Sequence, residues 1–138
     1  MASAVTRMVI DTSALLAILF EEGTGRPLRV AMSSDSVRLM STMSVLEATC
    51  VISARVGPGA VSDLSLFLRE FHVEVVPFDK PQLELAQNAW LRYGRGFHVA
   101  RLNFGDCASY ALARVSGEPL LFIGDDFRQT DVANVSYL

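Results

Sequence analysis

Short apolar or β-branched runs alternate along this chain with longer stretches of mixed apolar and polar residues. The short runs predict strands at residues 5–10, 37–40, 73–76 and 120–123, with a fifth at 132–135. The longer stretches predict helices at 13–20, 26–32, 43–56, 60–71, 80–93 and 104–115. The punctuation agrees. Gly57-Pro58-Gly59 breaks two helices, Asp79 caps the helix opening at Lys80-Pro81, and Gly117-Glu118-Pro119 separates the sixth helix from the next strand. Strand and helix alternating throughout predicts an α/β fold, a mostly parallel central sheet of four to five strands with helices on both faces. No repeat, low-complexity tract or domain-sized linker interrupts it, so residues 1–138 read as one domain.

Composition narrows the class. A chain of 138 residues that is 51% hydrophobic can bury one sizeable core, which excludes a disordered chain. No apolar run approaches the roughly 18 residues of a membrane span. The start, Met-Ala-Ser-Ala-Val-Thr-Arg, lacks the apolar core of a signal peptide, so the expected location is cytoplasmic. Cys50 and Cys107 have no metal-type spacing and read as reduced, small core residues.

The candidate chemistry lies in the acids. Asp11 follows the strand pair Val9-Ile10 and precedes Thr12 and Ser13. It therefore sits at the C-terminal end of a strand, where parallel sheets collect ligand-binding groups. Glu47 has Met43, Cys50 and Val51 at helical spacing, inside an apolar stripe, and a carboxylate there needs a cation partner. Asp106 opens the sixth helix, and Asp125 and Asp126 follow a strand at a Gly-Asp-Asp turn. Taken singly, Asp11 and Asp106 read as helix caps, Glu47 as half of a salt bridge with an Arg, and Asp125-Asp126 as turn residues. Taken together, two strand ends and two helix faces bring them to one edge of one sheet. Carboxylates so gathered repel one another, and a hard divalent ion, Mg²⁺ or Mn²⁺, resolves the repulsion. His72 and His98 have no ligand-spaced partner for zinc.

Net charge is −3, yet with those five acids neutralised ten acids face twelve bases, eleven of them Arg. Residues 85–105 hold no acid, but carry Arg92, Arg95, His98 and Arg101 among Trp90, Tyr93, Phe97 and Phe104. The part from residue 93 to 103 has the Gly content of a mobile loop and leads directly to Asp106. Arginines for phosphates and aromatics for bases are what a channel for single-stranded RNA requires.

These residues resemble a known family. Val9-Ile10-Asp11-Thr12-Ser13-Ala14, Ser41-Thr42-Met43-Ser44-Val45-Leu46-Glu47, Tyr93-Gly94-Arg95-Gly96 through Asp106-Cys107, and Gly124-Asp125-Asp126-Phe127 with Thr130-Asp131 run in the order of the PIN-domain nucleases. Within them the chain is similar to the VapC-type ribonuclease toxins of bacterial toxin–antitoxin pairs. The resemblance implies a three-layer α/β/α sandwich, Mg²⁺- or Mn²⁺-dependent RNA cleavage, a cognate antitoxin and a homodimer. By position, Asp11, Glu47 and Asp106 match the metal-site acids. The fourth is Asp126 or Asp125, with Asp126 the more regular position. Residues 1–7 stand outside the pattern, as an extension or an alternative start.

The expected mechanism is hydrolysis of a phosphodiester by metal-activated water, leaving 5′-phosphate and 3′-hydroxyl ends. Thr12, Ser13, Ser44 and Thr130 are the hydroxyls expected to orient the carboxylates. The antitoxin groove is expected on the helices at 13–20 and 26–32, around Leu15, Ile18, Leu19 and Leu28. Two rivals are a catalytically silent PIN fold acting as a binding module and a phosphoryl-transfer domain of receiver or dehalogenase type. The latter lacks its Asp-x-Asp after the first strand, and Lys80 is the only lysine.

Overall fold

The computed structural model describes residues 6–23, 25–33 and 36–137. In chain order the elements are β1 (Thr6–Ile10), α1 (Thr12–Leu19), α2 (Gly25–Ser33), β2 (Ser36–Ser41), α3 (Thr42–Arg55), α4 (Val61–Glu70), β3 (Val73–Val76), α5 (Lys80–Tyr93), α6 (Phe104–Ser116) and β4 (Leu120–Leu121). The four strands pair in parallel in the order β3-β2-β1-β4. The chain runs outward from β1 to β3, then crosses back to place β4 on the other side of β1. The reversal falls beside β1, and in such sheets the crevice at the C-terminal strand ends at that point holds the ligand. Asp11 follows the last residue of β1.

Alternation along the strands divides the interior into two cores. Val9, Leu39 and Leu120 join α5 and α6 on one face, through Ala86, Ala89, Tyr93, Tyr110 and Ala111. Met8, Ile10, Met40 and Leu121 join α1 to α4 on the other, through Leu15, Ile18, Leu28, Ile52, Leu64 and Phe67. This is the three-layer α/β/α sandwich expected. Local chemistry sets the helix limits. Asp11, Ser41, Asp79 and Asn103 cap α1, α3, α5 and α6 with side-chain oxygens, and Gly117 ends α6 at a φ of 71°, where glycine has no Cβ to clash. No helix among the described residues is long and apolar enough to cross a membrane.

Several expectations need correction. The helix expected from residue 60 begins as a 3-10 turn, Pro58–Ala60, before α4. The strand at 120–123 is two residues long, because the Ile123 N–H donates to the Ser13 hydroxyl (3.1 Å) and leaves the ladder. The fifth strand shrinks to one parallel bridge, Leu120 with Asn134. Cys50 is exposed, whereas Cys107 is buried. Leu15 and Leu28 lie fully inside the second core and line no groove, whereas Ile18 reaches the wall of a cavity of about 370 Å³ beside Glu21, Glu22, Arg26 and Arg29, and Leu19 is half-buried at the core's edge. Residues 1–5 of the expected extension lie outside the described residues.

Candidate active site

Asp11 is 3% exposed, and its carboxylate accepts three hydrogen bonds. Ser13 gives Oδ2 both its backbone N–H (3.0 Å) and its hydroxyl (2.6 Å), and the Ser109 hydroxyl reaches Oδ1 at 2.5 Å. The Ser13 hydroxyl also accepts from Ile123 N–H, so the end of β4 is tied to the end of β1 through this carboxylate's own partner.

Glu47 projects from α3 and is half-buried. Burial pushes its carboxyl above the usual range, with the Thr12 hydroxyl acting against the rise and the Asp11 charge adding to it. It lies hard against α6: a Cβ built on Gly105 would stand 2.2 Å from Glu47 Oε2. The absence of a side chain at residue 105 is therefore what gives the Glu47 carboxylate its room.

Asp106 occupies the third position of α6 in a reciprocal cap. Its Oδ2 accepts the Asn103 N–H at 2.9 Å, and its own N–H donates to Asn103 Oδ1 at 2.8 Å. Burial pushes this carboxyl up to about 7; the Asn103 N–H opposes the rise, and the charges of Asp11, Asp126 and Glu47 reinforce it. Asp126 is thus within electrostatic reach of Asp106. Asp125 is 90% exposed and turns to Arg128 at 4.0 Å.

Asp11, Glu47 and Asp106 therefore act on one another as charges at the end of the sheet, and Asp126 acts on Asp106. Among the described residues no ion pair reaches Asp11, Glu47 or Asp106, so the salt-bridge reading of Glu47 does not hold. Nor do any three Asp, Glu, His or Cys side chains there close into a ligand cage. The carboxylates sense one another as charges rather than by contact. Oxygen donors in mutual repulsion, without a basic partner, fit a hard divalent cation.

The other expected residues divide. Ser13 binds Asp11 directly, Ser44 reaches it through Ser109 (3.2 Å), and Thr12 donates to the Ser44 carbonyl at 3.2 Å. Thr130 does not orient an acid; its hydroxyl donates to the Phe127 carbonyl at 2.7 Å and closes the turn after Asp126. Arg92 is engaged with Asp131 at 3.7 Å and with the Tyr93 hydroxyl at 2.8 Å. His98 accepts from Ala100 N–H through Nδ1 and meets the Tyr93 ring edge-on, so it holds its own loop together. Arg95 and Arg101 are exposed and, among the described residues, form no ion pair. The segment that suggested a mobile loop is pinned at its base. Gly94 bridges Leu102, with Arg95 N–H to the Leu102 carbonyl and Leu102 N–H to the Tyr93 carbonyl, both 2.9 Å.

Sequence reasoning missed Ser109 and Gly105. Ser109 stands three residues after Asp106, on the same helical face, within the buried run from Cys107 to Ala113. That spacing was a usable signal. Gly105 carried none, since only the packing of α3 on α6 reveals what its missing side chain admits.

The raised carboxyl of Asp106 has a consequence for stability. Its proton is held more tightly folded than unfolded, so the contribution is full below about pH 3.8 and is lost as pH rises through about 7. In chelator, wild type is expected to lose resistance to denaturant between pH 5 and 8. Asp106→Asn, which keeps the cap acceptor, is expected to lose less. Parallel pH profiles for the two proteins would refute the assignment.

The PIN domain family model matches residues 8–133. The chain is 52% identical over 128 residues to Ribonuclease VapC of Mycolicibacterium smegmatis, covering 93% of this chain and 99% of that relative. Its fold is similar to that of Mycobacterium tuberculosis VapC20, described as a Sarcin-Ricin loop cleaving toxin, with a TM-score of 0.75, 20% identity and coverage of 93% and 98%. It is also similar to a chain of a toxin–antitoxin complex from Klebsiella pneumoniae, with a TM-score of 0.68, 15% identity and coverage of 95% and 98%. These matches leave no room for the receiver or dehalogenase reading. A family model over most of the chain and a half-identical relative matched almost end to end lead to one assignment: the chain belongs to the PIN-domain family, among its VapC ribonucleases.

Proposed function

We propose that this chain is a divalent-metal-dependent endoribonuclease and the toxin of a toxin–antitoxin pair. The observation that carries the reading is the meeting of Asp11, Glu47, Asp106 and Asp126, repelling one another with no base among them. Of the two acids in the turn, Asp126 is the fourth member, since its charge acts on Asp106 and Asp125 faces away to Arg128. These four carboxylates would hold a Mg²⁺ or Mn²⁺ ion, which would supply water activation and offset charge on the phosphate.

The rest of the chemistry belongs to the protein's own side chains. Ser13 and Ser109 fix the orientation of Asp11, and the Asn103 cap fixes Asp106. Gly105 leaves Glu47 the space it occupies. Arg95 and Arg101 reach RNA phosphates from the loop that leads into α6, and exposed Phe97 offers a face for a base. Arg92 joins them once a phosphate competes with Asp131, and His98 shapes the loop.

The partners are a cognate antitoxin and a second copy of the chain. A groove of about 640 Å³ between α5, α6 and the start of α3 is lined by Met43, Leu83, Trp90, Leu91 and Phe104, with no charged residue on its walls. Apolar walls rich in aromatic residues and Met, and free of charge, suit the centre of a self-complementary interface.

Wild type with Mg²⁺ or Mn²⁺ is expected to cut RNA, leaving 5′-phosphate ends, and to arrest growth when expressed without its antitoxin. Chelator and Asp106→Asn are expected to abolish both effects. Cyclic 2′,3′-phosphate products, or full cutting in EDTA, would sink the mechanism.

Gly105→Ala separates stability from chemistry. Alanine favours a helix interior by up to about 1 kcal/mol, and the atom it displaces is the free end of a flexible side chain. The variant is expected to resist denaturant at least as well as wild type while cleaving at least tenfold more slowly. Undiminished cleavage would show that the position of Glu47 is immaterial.

For the second copy, sedimentation is expected to give a dimer that Leu91→Asp converts to a monomer. A wild-type monomer at high micromolar concentration would exclude it.

A further inference from the structure

One donor to Asp11 comes from far along the chain. Ser109, on α6 and 1% exposed, lies 98 residues from Asp11 in sequence and 2.5 Å from Oδ1 in space. The Ser44 hydroxyl of α3, also 1% exposed, lies 3.2 Å from Ser109 Oγ. Each hydroxyl has one proton, and an ionised carboxylate only accepts. Ser109 therefore donates to Asp11, and the proton between the two serines is that of Ser44. The Ser44 carbonyl in turn accepts from Thr12 of α1. The bonds run in one direction, from the helix that carries Glu47, through the helix that carries Asp106, to the carboxylate at the end of β1.

The geometry points to Ser109 as a positioning residue of the metal site, acting through Asp11 and itself oriented by Ser44. The inference rests on the divalent-cation reading above. A carboxylate rotates about a broad terminal torsion with no sharp minimum. Ser13 holds Oδ2 alone; Ser109 holds Oδ1, and with both oxygens held the rotation stops. The lone pairs left over then keep one fixed direction. An outer partner that aims a ligand in this way contributes to ion affinity without touching the ion.

The test is Mn²⁺ binding to the full-length chain by titration calorimetry, alongside denaturation. Ser109→Ala is expected to weaken Mn²⁺ binding about 10- to 100-fold. Ser44→Ala is expected to weaken it less, and to add nothing once Ser109 is already Ala, because the chain of donors is cut at the same place. Tyr110→Phe serves as the structural control, since it removes a partly buried bond to Asp131 from the same helix. It is expected to lower stability and leave Mn²⁺ affinity unchanged.

Ser109→Ala binding Mn²⁺ within twofold of wild type would overturn the inference, as would an equal loss in Tyr110→Phe. If Ser109→Ala does not fold, unchanged affinity in Ser44→Ala overturns it instead. A wild type that binds no Mn²⁺ removes the metal reading and this inference together, whereas a wild type that binds normally beside an unaffected Ser109→Ala removes only the latter.

Discussion

Charge repulsion between partly buried carboxylates is the constraint around which this fold is arranged. Asp11 is buried and Glu47 and Asp106 are half-buried at the end of one sheet, and among the described residues none has an ion-pair partner. Burial and mutual repulsion both favour the protonated form, as the position of Asp106 near 7 records. A protein keeps such an arrangement only by holding the acids apart from one another and each in a fixed pose. The hydrogen bonds at this end of the sheet do that. Ser13, Ser109, Asn103 and their backbone partners give up other bonding to fix carboxylate oxygens, and the last ladder bond of β4 is surrendered to Ser13.

The sheet order makes this possible. Because the chain turns back across β1, the strand carrying Asp11 lies between β2, which launches α3, and β4, which launches the Gly124-Asp125-Asp126 turn. Three of the acids therefore come from segments that start where three neighbouring strands stop. The fourth arrives from α6, whose buried face packs on the sheet and on α3 at once. Helix caps serve twice here. Asp11 and Asp106 each satisfy free N–H groups at a helix start, so the local bonds that form the helices also orient the acids.

Much of this was legible in the sequence because its signals are local. Apolar runs, caps and Gly-Pro breaks located six helices and four strands, and Asp79 and Gly117 act as their positions suggested. The failures share a physical cause. The fifth strand, Leu28 and its neighbours, Cys50 and Thr130 all depend on which surface lies opposite, and that is a property of packing at long range. The choice between Asp125 and Asp126 is of the same kind: both are exposed, and only the placement of the turn brings the Asp126 charge to bear on Asp106 while Asp125 lies beside Arg128. Ser109 was within reach by helical spacing; Gly105 was not.

The closed base of the loop between α5 and α6 has a consequence for how such a protein changes. Tyr93, Gly94, Arg95 and Leu102 lock together through backbone groups, which every residue type but proline supplies in full. What lies beyond that lock, from Gly96 to Arg101, is mostly exposed and is held by its own turn and by the rings of Trp90 and Tyr93. Strain or slack introduced there is absorbed before it reaches Asp106. The exposed segment can thus be rewritten residue by residue while the acidic cluster a few residues downstream stays as it was: a replaceable tip on a fixed tool.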